Sequence, residues 1–109
     1  MGRDFIEWYL DRAKAAEASA GKRLVDYLDL HWYPEAQGGG QRVIDENNSD
    51  AVVAAREQAP RSLWDQDYKE SSWIVKDALG DKAITLVPRL RAKIADHYPG
   101  TKLSFTEWN

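Results

Sequence analysis

The side chains able to do chemistry gather at the ends of two short alternating stretches. Near position 30, Asp29, His31 and Tyr33 recur at every second residue, and near 105 the alternation of Leu103 and Phe105 runs on to Glu107. Residues at a period of two share one face of a β-strand, so the first stretch offers a carboxylate, an imidazole and a phenol together. In α/β folds, ligands bind at the carboxyl ends of strands, and the second stretch delivers Glu107 at its last position. A carboxylate there needs hydrogen-bond partners or water, since a bare buried charge is costly. A tyrosine hydroxyl and an imidazole can supply those bonds. Each residue also has a plain reading. Glu107 is equally a solvated residue near a chain end, His31 alone is more simply a core histidine bonded to a carbonyl, and Tyr33 alone is packing. Their meeting at one end of two adjacent parallel strands is what favours chemistry.

Glycoside hydrolysis needs a second carboxylate, one group serving as acid/base and the other as nucleophile or base. Glu35 is the one nearby candidate, but it follows Pro34 in a loop and reads as solvated, so no convincing partner is present. Trp64 and Trp73 stand among charged residues, where they serve equally well as sugar-stacking surfaces or as anchors of the surrounding chain. Trp8 reads as helix packing. Two histidines far apart and no cysteine leave no zinc site. The run from Asp45 to Asp50 is rich in oxygens but lacks EF-hand spacing, and reads as a solvated loop leading to a helix cap. The triplet Gly38-Gly39-Gly40 has no phosphate-loop tail and reads as flexibility. No metal or cofactor is expected.

The elements that must position these residues follow from periodicity. Ile6, Tyr9, Leu10, Ala13 and Ala16 mark a helix over 4–20, with Asp4 as cap and Gly21 as stop. A strand follows over 24–33, with Leu28, Leu30 and Trp32 on one face and Tyr27, Asp29, His31 and Tyr33 on the other, and Pro34 ends it. Residues 35–48 read as a long excursion with no core of their own. A short helix over 49–58 stops at Pro60, a tryptophan-bearing loop spans 61–65, and a turn or helix over 67–79 carries Trp73. A helix over 84–97 bears the stripe Ile84, Val87, Leu90 and Ile94, with Pro88 in its first turn. The last strand covers 102–107, with Leu103, Phe105 and Glu107 sharing a side. The order is that of a parallel strand–helix–strand unit.

The 109 residues suffice for one domain, whereas a closed eight-stranded α/β barrel needs roughly 250. A composition of 43% apolar and 30% charged residues is that of a globular protein. A net charge of −3, without a basic block, argues against nucleic acid as partner. No apolar run approaches the roughly 18 residues of a membrane span, and no signal peptide is recognised at the start.

Three strings of this sequence resemble glycoside hydrolase family 44. They are Asp26-Tyr27-Leu28-Asp29-Leu30-His31-Trp32-Tyr33-Pro34-Glu35, the stretch from Ala55 to Asp65, and the stretch from His97 to Asn109. The resemblance implies an α/β fold in which residues 1–109 form part of a (β/α)8 barrel, two parallel strands with connecting helices, at about the sixth and seventh strands. It implies a secreted, retaining endo-β-1,4-glucanase or xyloglucanase acting on cellulose-like polysaccharide. Glu107 then matches the nucleophile, Tyr33 the residue that orients it, and His31 a supporting residue, while Trp64, Trp73 and Trp108 fall where substrate is bound. Trp108 replaces the tyrosine of many relatives. The family's acid/base glutamate, in an Asn-Glu pair, has no counterpart here, so this chain alone is expected to be inactive and to need the remainder of the barrel as partner. A non-catalytic carbohydrate-binding or interaction module is the alternative.

Overall fold

The computed structural model describes residues 2–109. The chain divides into two compact units, Met1–His31 with Arg89–Thr106, and Trp32–Pro88 with Glu107–Asn109.

The first unit is built on helix α1 (Phe5–Ala20), strand β1 (Tyr27–Trp32), helix α3 (Leu86–His97) and strand β4 (Lys102–Trp108). Asp4 caps α1 by accepting the backbone N–H of Glu7 at 3.0 Å, as expected of an aspartate at that position. β1 and β4 pair as a two-stranded parallel sheet, and the Lys102 N–H reaches the Asp26 carbonyl at 2.8 Å. Leu10, Ala13, Leu28, Ile94 and Tyr98 form the core, with Ile6, Val25, Leu30 and Leu103 packed around it. Leu10 is fully buried, which stabilises the fold by about 2 kcal/mol on transfer grounds alone. The face chosen by alternation is therefore the covered one, while Tyr27, Asp29 and His31 are exposed. At the unit's polar edge Lys93 bridges Glu7 at 2.7 Å and Asp4 at 3.1 Å, and His97 Nδ1 meets Asp11 at 2.8 Å.

These bonds make the chain acid-sensitive. The backbone N–H of Glu7 lowers the Asp4 carboxyl below 3.8, the His97 bond does so for Asp11, the Thr106 hydroxyl for Asp29, and the Asp67 N–H for Asp65. A carboxyl whose folded value is depressed contributes stability above its unfolded value, and that contribution is lost as pH falls through the folded one. The melting midpoint followed by circular dichroism is expected to be level above about pH 5 and to fall below about pH 4. Equal midpoints at pH 3 and pH 6 would contradict the assignment.

The second unit departs from the sequence reading. Residues 35–48 are not a coreless excursion: β2 (Gln37–Gly38) and β3 (Gln41–Arg42) form an antiparallel hairpin, pairing Gln37 with Arg42 and Gly38 with Gln41. Gly39 and Gly40 make its two-residue turn at φ 58° and 80°, the doubly positive pattern whose twist matches paired strands. Gly38 abuts helix α2 (Asp50–Gln58) so closely that a Cβ would lie 1.9 Å from the Ala51 carbonyl oxygen. Gly38 is thus required by space and Gly39 and Gly40 by their positive φ, rather than any of them for flexibility. Ala36, Val43 and Ala59 are buried together with Ile44 and Ala55 against them.

The oxygens of the 45–50 run also have an occupant. Arg56, on α2, donates to the carbonyls of Val43 at 2.9 Å, Asp45 at 3.4 Å and Asn47 at 2.9 Å, and to the Asn48 side chain at 3.1 Å. The run is nevertheless the solvated loop leading to a helix cap that its composition suggested, with Asp45, Glu46, Asn48, Ser49 and Asp50 exposed and Ser49 at the N-cap of α2, and the guanidinium ties its backbone to the helix. The α-helix ends at Gln58, as Pro60 predicts, and the expected loop after it begins as a 3-10 turn, Ala59–Leu63, whose start tolerates proline. Of the turn or helix expected over 67–79, a single π-helical turn, Ile74–Ala78, is present. The preceding residues are tied elsewhere, Glu70 to the Ser62 hydroxyl at 2.6 Å and the Ser71 carbonyl to the Gln37 N–H at 2.8 Å. α3 starts later than its stripe suggests, after Thr85 at φ 42°.

Candidate functional site

β4 carries Glu107 to its exposed end, and Tyr33 follows β1 directly, held by the buried Pro34 after it. The Tyr33 hydroxyl donates to Glu107 Oε2. That bond, made to a carboxylate, raises the phenol above its usual value of 10.0, so Tyr33 stays a neutral donor through the physiological range. The strict alternation of β4 does not reach its end: Leu103 packs into the core of the first unit and Phe105 is half-buried, whereas Glu107 is exposed. A carboxylate at this strand terminus meets the solvent and hydroxyl partner that it needs.

Asp29 accepts the Thr106 hydroxyl at 2.6 Å, the main cause of its lowered pKa, with a smaller contribution from the charge of His31. His31 is exposed, which excludes the core-histidine reading.

Glu35 is not the solvated loop residue that its position after a proline suggested. Its side chain is only 20% exposed, Arg42 Nε donates to it at 3.1 Å with a second bond from the same guanidinium, and Trp73 Nε1 donates at 3.3 Å. Arg42 is held charged, its pKa raised by the Glu35 bond. Trp73 remains 55% exposed, and Trp64 and Trp108 are 62% and 69% exposed. Arg42 was not singled out from sequence. The signal was there: reading Gly39-Gly40 as a hairpin turn returns Arg42 to the neighbourhood of Glu35.

The structure thus joins Tyr33 to Glu107, and Glu35 to Arg42 and Trp73. Among the described residues no group of three or more histidine, aspartate or glutamate side chains is arranged to hold a metal. What the arrangement can do is present an oriented carboxylate nucleophile or base, and offer flat apolar rings to a ligand.

The model of glycoside hydrolase family 44 matches residues 1–36. The chain is 52% identical over 105 residues to endoglucanase A of Paenibacillus lautus, a match covering 94% of this chain and 15% of that protein. Among solved structures, the family 44 endoglucanase of Clostridium acetobutylium superposes with a TM-score of 0.88 at 53% identity, over 96% of this chain and 20% of that one. A family 44 xyloglucanase of Paenibacillus polymyxa, solved with xyloglucan, gives a TM-score of 0.89 at 45% identity, over 96% and 20%. The chain therefore spans about a fifth of the length of these solved relatives. The homologues being family 44 endoglucanases and xyloglucanases over nearly its whole length, the chain belongs to glycoside hydrolase family 44.

Proposed function

We propose that these residues form two strands of a (β/α)8 barrel and carry the nucleophile half of a secreted enzyme that hydrolyses β-1,4-glucan with retention. The observation that carries this reading is the hydrogen bond from Tyr33 to Glu107 at a strand's carboxyl end. Glu107 attacks the anomeric carbon, the bond from that carbon to the leaving oxygen breaks, and the leaving oxygen takes a proton from an acid. The glycosyl ester on Glu107 is then released by water. Tyr33 holds the attacking oxygen in position with a neutral hydroxyl, and Trp64, Trp73 and Trp108 bind the glucan. The acid is not among these residues, since Glu35 is locked in its ion pair and the 109 residues hold no Asn-Glu pair.

The chain alone is accordingly expected to release no sugar from carboxymethylcellulose or xyloglucan, measured by reducing ends. The same residues placed in the matched stretch of Paenibacillus lautus endoglucanase A are expected to sustain turnover. Turnover by the chain alone would overturn the division of the catalytic pair. A second reading, a carbohydrate-binding module without catalysis, is favoured by the exposure of Trp64, Trp73 and Trp108, and an inactive chimera that still binds xyloglucan would select it.

A further inference from the structure

We infer that Glu35 and Arg42 form a positioning pair that fixes the Trp73 indole as a rigid stacking platform for a glucan residue. The inference rests on the proposed binding role of Trp73. An exposed tryptophan side chain ordinarily rotates about two bonds, and a ligand that stacks on it must first freeze that motion. Here the indole N–H is donated to Glu35 Oε2 at 3.3 Å while more than half the residue stays open to solvent. The bond engages the indole at its polar edge and the residue keeps 55% of its surface, which a stacking surface needs and a fully packed anchor would lack.

The acceptor is itself immobile. Arg42 grips Glu35 through two nitrogens, a forked contact that fixes direction as well as distance. Arg42 belongs to the hairpin strand β3, and the hairpin is seated on α2 through Gly38, whose missing side chain permits contact with the Ala51 carbonyl. An unbroken series of contacts therefore runs from α2 to the indole. Beside the ring lies an open hollow of about 470 Å³, lined by Gln37, Ser72, Trp73, Lys76 and Asp77 among others. Polar donors and acceptors flanking one aromatic face suit a hydroxyl-rich ligand such as a sugar ring.

The test is affinity electrophoresis of the chain in gels containing xyloglucan, with melting midpoints measured in parallel. Trp73→Ala is expected to weaken retardation about tenfold, as the loss of one stacked ring. Glu35→Leu and Trp73→Phe, which remove acceptor and donor respectively while leaving a ring, should each weaken it about threefold, the cost of ordering a freed side chain on binding. Glu35→Gln, which keeps an acceptor for the indole, should stay within about twofold of the parent. In the Trp73→Ala background, Glu35→Leu should add nothing, although a merely structural role for Glu35 would still be felt there. If Trp73→Ala weakens binding but Glu35→Leu and Trp73→Phe do not, the positioning inference fails and the platform stands. Absence of retardation by the parent chain, or retardation that survives Trp73→Ala, overturns the platform and the inference with it.

Discussion

Changing Glu107 to glutamine in a Paenibacillus lautus endoglucanase A that carries these 109 residues is expected to lower kcat on xyloglucan by about four orders of magnitude. The amide is nearly the same shape and can still accept the Tyr33 hydrogen bond, so fold and substrate binding should survive. What it lacks is the negative charge and free electron pair that form the glycosyl ester. KM should therefore change little while kcat collapses, the signature of an interaction made only along the reaction path. Tyr33→Phe should be milder. It removes one neutral donor to a carboxylate, worth about 1.5 to 3 kcal/mol, or roughly one to two orders of magnitude in rate. A Glu107→Gln chimera that retained more than about a tenth of the parent rate would show that some other group attacks the sugar.

The largest effect on stability is expected at Gly38. A methyl group there would stand 1.9 Å from the Ala51 carbonyl oxygen, well inside the separation at which atoms touch, and that oxygen is backbone and cannot rotate aside. The hairpin or helix α2 must move bodily. Gly38→Ala is expected to cost about 3 kcal/mol in urea unfolding, at the upper end for overpacking. Gly40→Ala has open space around it and meets only the penalty of its positive φ, so about 1 to 2 kcal/mol is expected. A Gly38→Ala variant as stable as the parent would mean that the hairpin does not rest on α2 as described.

The contrast between the units explains what could be read from sequence. In the first, burial is one-sided and periodic. The alternation of β1 states directly which face is covered, the stripe on α1 does so only at its centre, since Leu10 and Ala13 are buried but Tyr9 and Ala16 are exposed, and Asp4 and Gly21 mark the ends of α1. In the second, structure depends on single contacts that leave no period. The hairpin strands have two residues each, too few for alternation to be visible, and the core around Ala36 and Val43 is made of small residues scattered along the chain. Arg56 ties down the solvated 45–50 loop through bonds to carbonyls, which sequence does not display. Of the site, the Tyr33 and Glu107 pairing was legible because both stand at strand ends. The locking of Glu35 was not, because it required the hairpin register first.

The central claim is that Glu107 is the residue to which the sugar becomes attached. It is tested most directly by treating the chimera with a 2-deoxy-2-fluoro-glucosyl donor bearing a good leaving group, which slows release of the glycosyl ester, and then mapping the added mass on its peptides. The expected result is one glycosyl addition on the peptide that contains Glu107, absent from the Glu107→Gln variant. A sugar found on another carboxylate, while Glu107 stays unmodified, would contradict the account.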